Sequence, residues 1–128
     1  MLLHFYCQNE GRNFKSRLER ISKMGKMELT RNCKFYKSFS YQNINFSIHF
    51  LEELDVLRKE EMFILLKKSI TKNVSGGIQV PRVFVQKQKV GYDFFLGVCT
   101  VLYTSFEEVN DIVVQTVPEE QKFIISIM

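Results

Sequence analysis

Few side chains in this sequence are equipped for chemistry, and their spacing limits what they could do. The three cysteines, Cys7, Cys33 and Cys99, stand far apart with no C-x-x-C, and only His4 and His49 could supply an imidazole beside them. That pattern fits neither a zinc site nor a disulfide framework. It fits reduced thiols in or near a core, where free cysteine is most often found. A Cys/His nucleophile–base pair stays open as an alternative, although no local signature supports one. Acidic residues come as adjacent pairs, Glu52-Glu53, Glu60-Glu61, Glu107-Glu108 and Glu119-Glu120; neighbours in the chain point in different directions and do not make a general acid and base. The paired glycines Gly76-Gly77 lack the Lys-Ser/Thr of a phosphate loop, and no dinucleotide-binding or nucleophile-elbow signature is present. These residues point to binding rather than catalysis, with no cofactor or metal implied.

Composition bounds the scaffold. A chain of 128 residues, 45% hydrophobic and 13% aromatic, is enough for one core, and 25% charged residues without long polar repeats argue against wholesale disorder. The uncharged run Ser38 to His49 is rich in Ser, Tyr, Gln and Asn, too polar to cross a bilayer. The start, Met1 to Cys7, has no basic residue ahead of its short apolar stretch, the wrong order for a secretory signal, so the cytoplasm is the expected compartment. The net charge of +4 resides in residues 1–26, where Arg12, Lys15, Arg17, Arg20, Lys23 and Lys26 outnumber Glu10 and Glu19. Such a basic arm could touch phosphates, but the same residues around Phe14, Leu18 and Ile21 also read as the solvated face of a short helix. The neutral remainder offers no basic stripe, so nucleic-acid binding is not expected of this chain alone.

The elements follow from periodicity. Leu2 to Cys7 reads as a short strand, Asn13 to Met24 as a helix ended by Gly25, and Glu28 to Tyr41 as a half-buried strand. The clearest helical arc spans about Ser47 to Lys68, with Phe50, Leu51, Leu54, Leu57, Met62, Ile64 and Leu65 on one side. Glu61 falls inside that arc; there it needs a partner, a shifted pKa or a cavity, unless a break near Arg58-Lys59-Glu60 makes it ordinary surface. After the turn Asn73 to Gly77, Ile78 to Val85 and Tyr92 to Tyr103 read as two strands pairing as a hairpin, and Ile112 to Val117 and Lys122 to Met128 as two more around Pro118. The predicted fold is α+β.

Two resemblances can be placed on these residues. Val80-Pro81-Arg82-Val83-Phe84-Val85 resembles the segment after the second helix of glutaredoxins, but the C-x-x-C of that family is missing and the tail after Gly91 reads as β where the family has a helix. A longer resemblance runs from about Met62 to Ile125. Tyr92-Asp93-Phe94-Phe95-Leu96-Gly97-Val98-Cys99, Ser105-Phe106-Glu107-Glu108-Val109, Val114-Gln115-Thr116-Val117-Pro118 and Lys122-Phe123-Ile124-Ile125 follow the order and spacing of the gyrase-inhibitor-like effector-binding domains.

This resemblance implies strand–helix–strand–strand modules on a continuous antiparallel sheet, with a ligand cleft between their helices. Members of that family sense drugs or effectors for transcription regulators, bind hydrophobic cations or, in some cases, act as hydrolases. Two departures stand out: Cys99 occupies the place of the usual glutamate, and the chain ends at Met128, before the second module would be complete. The expected organisation is therefore a basic arm or short helix over residues 1–26, followed by an effector-binding-like domain over 27–128. Its expected ligand is a small hydrophobic or cationic molecule. The expected lining is Phe63, Phe95 and Cys99, with Tyr36, Phe84 and Tyr92 beside them and Glu61 as the acidic element. Aromatic residues at regular spacing also read as plain core. Because an incomplete sheet leaves strand edges, the alternative function is a protein-interaction or assembly module completed by a partner or a second copy.

Overall fold

The computed structural model describes residues 3–8, 33–72, 78–80 and 88–128. Within them the elements run β1 (Leu3–Gln8), β2 (Cys33–Tyr41), β3 (Ile44–Leu51), α1 (Val56–Thr71), α2 (Gln88–Ser105), β4 (Asp111–Val117), a 3₁₀ turn at Pro118–Glu120, and β5 (Lys122–Ile127). The α+β class is as expected. The five strands lie in the order β1-β4-β5-β3-β2, and the sheet is mixed rather than wholly antiparallel, since β3 and β5 pair in parallel. Two helices and strand β4 separate those two strands in the chain, as a parallel pair requires a long connection.

Alternation in β3 explains the layering. Ile44, Phe46, Ile48 and Phe50 are buried on one face, and in β5 Phe123, Ile125 and Ile127 continue it. Both helices cover this face. Phe94 of α2 stacks on Phe123 with ring centroids 4.2 Å apart and meets Phe46 at 5.8 Å. Phe63 of α1 sits edge-on to Phe39 of β2 at 5.9 Å. The helices are tied together by Ile78, whose N–H donates to the Ser69 carbonyl at 3.0 Å. Its side chain fills the space above Gly97, where a Cβ would stand only 3.2 Å from it, closer than packed carbons normally approach.

Three expectations are corrected. The arc begun at Ser47 is not one helix: its first part is β3, and α1 starts only at Val56 after a turn. With that origin, Met62, Phe63, Leu66 and Ile70 form the core stripe, and Leu57 and Ile64 face solvent. The strand read over Tyr92 to Tyr103 is the body of α2; its buried residues, Phe94, Phe95, Val98, Cys99, Leu102 and Tyr103, repeat at four-residue intervals. The hairpin expected with Ile78 to Val85 is accordingly absent from 78–80 and 88–105. The helix Asn13 to Met24, the turn Asn73 to Gly77 and the segment Pro81 to Val85 lie outside the described residues. β1 joins the sheet as an edge strand on β4.

Candidate functional site

The β2–β3 hairpin turns through Gln42 and Asn43, both with positive φ (52° and 63°), as a two-residue hairpin loop requires. Such a loop closes on Tyr41 and Ile44 as a hydrogen-bonded pair, so alternate residues Ser40 and Ser38 turn their N–H and C=O groups away from β3. Asn45, opposite Ser40, confirms the phase by donating its N–H to Gln121 at 2.8 Å, toward β5. Among the described residues β2 pairs with β3 alone, which leaves it an edge strand. A bulge between Phe35 and Lys37 places both Tyr36 and Lys37 on the helix-covered face.

On that face α1 runs alongside β2. The Tyr36 hydroxyl donates a short hydrogen bond to Glu60, and Lys37 donates to both oxygens of the same carboxylate at 2.9 and 3.0 Å. Lys37 Nζ also lies 5.3 Å from the Phe63 ring centre, and Lys67 Nζ 5.9 Å from that of Phe39. The Tyr36 hydrogen bond and the Lys37 ammonium hold the Glu60 carboxyl below its ordinary pKa. The same contacts push the Tyr36 phenol and the Lys37 ammonium upward. All three groups therefore keep one charge state around neutrality. Lys34, nearer the start of β2, is neutralised by Glu52 at 2.7 Å.

The surface beside this cluster is apolar. Among the described residues the exposed large hydrophobic side chains are Val56 (66% accessible), Leu57 (73%) and Ile64 (55%) on α1 and Phe35 (60%) on β2, the last meeting His49 edge-on at 5.7 Å on the face of the sheet away from the helices. At 100° per residue, Val56, Leu57, Glu60, Ile64 and Lys67 fall within one arc of about 100°. Glu60 and Lys67 reach β2, so this arc is the flank of α1 on the β2 side. The opposite flank of α1 is closed by Arg58, which bonds Glu61 at 2.8 Å, pairs closely with Glu108 and covers the Phe106 ring at 5.5 Å.

The residues named from the sequence separate into groups. Tyr36 and Phe63 are brought together, ring centroids 6.2 Å apart. Phe95 and Cys99 share one face of α2, a turn apart, and are fully buried, as Phe63 nearly is (7% accessible). Tyr92 is half-buried near the start of α2, its phenol pKa raised by burial and by Asp93. Glu61 is exposed and paired with Arg58, the surface outcome that a break ahead of it allows. Phe84 lies outside the described residues. A pocket of about 460 Å³ sits at the hairpin tip, lined by Ser40, Tyr41, Gln42, Asn43 and Asn45. It is polar, and Ser40 and Asn45 already bond each other there at 2.6 Å. Among the described residues, no three His, Cys, Asp or Glu side chains converge as a metal site would need, and no helix is long and apolar enough to cross a membrane. Sequence reasoning missed Val56 and placed Leu57 and Ile64 on the core arc; the signal was the change from two-residue to helical period near Leu51.

Comparison with protein-family models finds no match, and neither curated proteins nor solved structures provide one.

Proposed function

We propose that this chain is a small protein-interaction module whose working surface is the free edge of β2 together with the exposed flank of α1. One observation carries the reading: three of the four exposed large hydrophobics among the described residues, Val56, Leu57 and Ile64, lie together on one flank of α1 beside β2. Scattered apolar residues on a surface need no explanation, but grouped ones rimmed by charge mark contact sites. An unpaired strand edge beside them adds directional hydrogen bonds to the apolar contact. Sensing of a small hydrophobic or cationic ligand, which the family resemblance implies, would draw on Phe63, Phe95 and Cys99. Those side chains are sealed in the core, so a ligand would have to open it. The pocket at the hairpin tip is lined by amides and hydroxyls, a poor match for a lipophilic cation. The cytoplasm is the compartment in which the free thiol of Cys33 is expected to persist.

A photo-crosslinking amino acid in place of Leu57, compared with one at exposed Thr104, tests the surface in cells. The expected result is a discrete adduct with one identified protein at position 57. It should be absent at 104 and lost when Ile64→Asp is added. Equal, diffuse labelling at both positions would overturn the reading.

A further inference from the structure

The charged side chains around the exposed residues of α1 divide into those already neutralised and those left over. Both carboxylates of the helix hold a cation of their own chain: Glu60 accepts from Lys37 at 2.9 and 3.0 Å, and Glu61, on the opposite flank, from Arg58 at 2.8 Å. Arg58 is shared with Glu108, and Lys59 donates to the Glu52 carbonyl. The far end of the helix differs. No acidic residue follows Glu61 in α1. Lys67, Lys68 and Lys72 are exposed there, and none has a carboxylate partner among the described residues. Lys67 lies over the Phe39 ring, which leaves its charge uncompensated.

Helical geometry places these lysines against the apolar side chains. Leu57 and Ile64 are seven residues apart and stand on nearly one line along the helix. Lys67 and Lys68 follow Ile64 by three and four residues, so one falls on each side of that line a turn later, and Lys72 extends the Lys68 row. The helix dipole favours cations at this end. It gives no reason for Leu57 and Ile64 to lie exposed in line with them.

A partner that satisfies both features is apolar along its length and acidic at one end. Resting on the reading of this flank as an interaction surface, we infer that its occupant is an acidic amphipathic segment of another protein. Its apolar side chains cover Leu57 and Ile64, and its carboxylates meet Lys67, Lys68 and Lys72. Leu57 to Lys68 rises about 16 Å, the reach of a partner helix of three turns. A second copy of α1 would not serve, because its carboxylates are already bonded to their own chain. An anionic bilayer is a poorer match: Glu60 and Glu61 lie within a turn of Leu57 and Ile64, where they would meet the headgroups. A peptide can keep its acids to the lysine end.

Selection of random peptides of about twelve residues, some three helical turns, on the immobilised full chain reads the chemistry. The enriched peptides should carry several apolar residues and a net negative charge. Their binding, followed by fluorescence anisotropy, should fall about tenfold or more in Ile64→Asp. Reversing Lys67 and Lys68 together to Glu should weaken it about tenfold, since two attractions become repulsions at a solvated rim. Raising sodium chloride from about 50 to 500 mM should weaken it several-fold. Lys122→Gln, on the other face of the sheet, should leave it unchanged. Unchanged circular dichroism spectra would show that the variants keep the fold. Neutral or basic peptides that still depend on Ile64 would overturn the acidic partner and leave the interaction surface standing. Acidic peptides indifferent to the lysine reversal would do the same. Recruitment to phosphatidylserine vesicles with no acidic peptide enriched would assign the lysines to a lipid surface instead. An empty selection together with no discrete crosslink at position 57 removes the surface as well.

Discussion

Replacing Phe123 by alanine tests the core at the point where the parallel pair and both layers meet. Phe123 is 1% accessible, lies opposite Phe46 in β3 and Thr116 in β4, and stacks on Phe94 at 4.2 Å and Phe46 at 5.8 Å. Burying some 150 Å² of aromatic surface at about 25 cal/mol per Å² is worth about 4 kcal/mol. The residual cavity adds to the loss and partial collapse subtracts from it, which places Phe123→Ala at about 3–5 kcal/mol. Phe123→Leu preserves most of the volume and should cost less than about 2 kcal/mol. A domain of this length has a total stability of roughly 6–19 kcal/mol, so the alanine variant should fold but melt early. Urea titration followed by far-ultraviolet circular dichroism would show a midpoint lowered by about 2 M with an unchanged slope. Its neighbour Ile124, half-buried on the other face of β5, provides the control. If Ile124→Ala cost more than Phe123→Ala, or if the alanine and leucine variants at 123 were equally stable, the assignment of faces in β5 would be refuted.

Three further perturbations follow from single groups. Thr116 Oγ1 is buried without a hydrogen-bond partner among the described residues, so the near-isosteric Thr116→Val should raise stability by about 1 kcal/mol in the same titration. The hairpin residues Gln42 and Asn43 hold left-handed conformations; Gln42→Asn with Asn43→Gly suits that turn better and should raise the melting temperature by a few degrees, corresponding to about 1 kcal/mol. Burial pushes the Cys33 thiol up to about 11 from 9.0. A raised acid pKa means that the folded state resists losing the proton, so its contribution is intact below pH 9 and disappears between pH 9 and 11. The stability of the wild-type chain relative to Cys33→Ala should fall by up to about 2–3 kcal/mol across that window and stay flat below it.

The parts of the fold legible in the sequence are those where one periodicity acts alone. Ile112 to Val117 and Lys122 to Met128 are bounded by Pro118 and Glu120, and they appear as β4 and β5 within a residue of the expected ends. The failures lie where two patterns overlap. Ile44, Phe46, Ile48 and Phe50 alternate as a strand should, yet Phe50, Leu51 and Leu54 also continue the helical arc that follows, and the longer pattern absorbed the shorter. In α2, Val98, Val101 and the paired phenylalanines carry strand propensity and Gly91 and Gly97 lower helix propensity, but tertiary burial overrides both. The four-residue spacing of Phe94, Val98 and Leu102, and of Phe95, Cys99 and Tyr103, held the contrary signal, as did a length of 18 residues, beyond an ordinary strand. Of the candidate site, Tyr36 and Phe63 were expected together as the lining of a ligand cleft, and what the structure shows is that their rings meet at 6.2 Å. Val56, Leu57 and Ile64 were not legible, because whether an apolar residue on a helix faces core or solvent depends on where the helix starts.

That dependence bears on how the surface is made. A helix flank and a strand edge separated by fifteen or more residues of chain form one continuous surface only if their mutual orientation is fixed. Here the fixing group is polar: the Glu60 carboxylate accepts from Tyr36 and Lys37 of β2 while its helix buries Phe63 against Tyr36 and Phe39. Removing an edge lysine from the edge and registering the helix against the strand are thus accomplished by the same side chain. An apolar residue at position 60 could hold the helix down but would leave Lys37 extended across the pairing groups of Ser38. A carboxylate accomplishes both, which gives a physical reason for an acidic residue among Val56, Leu57 and Ile64 on that flank.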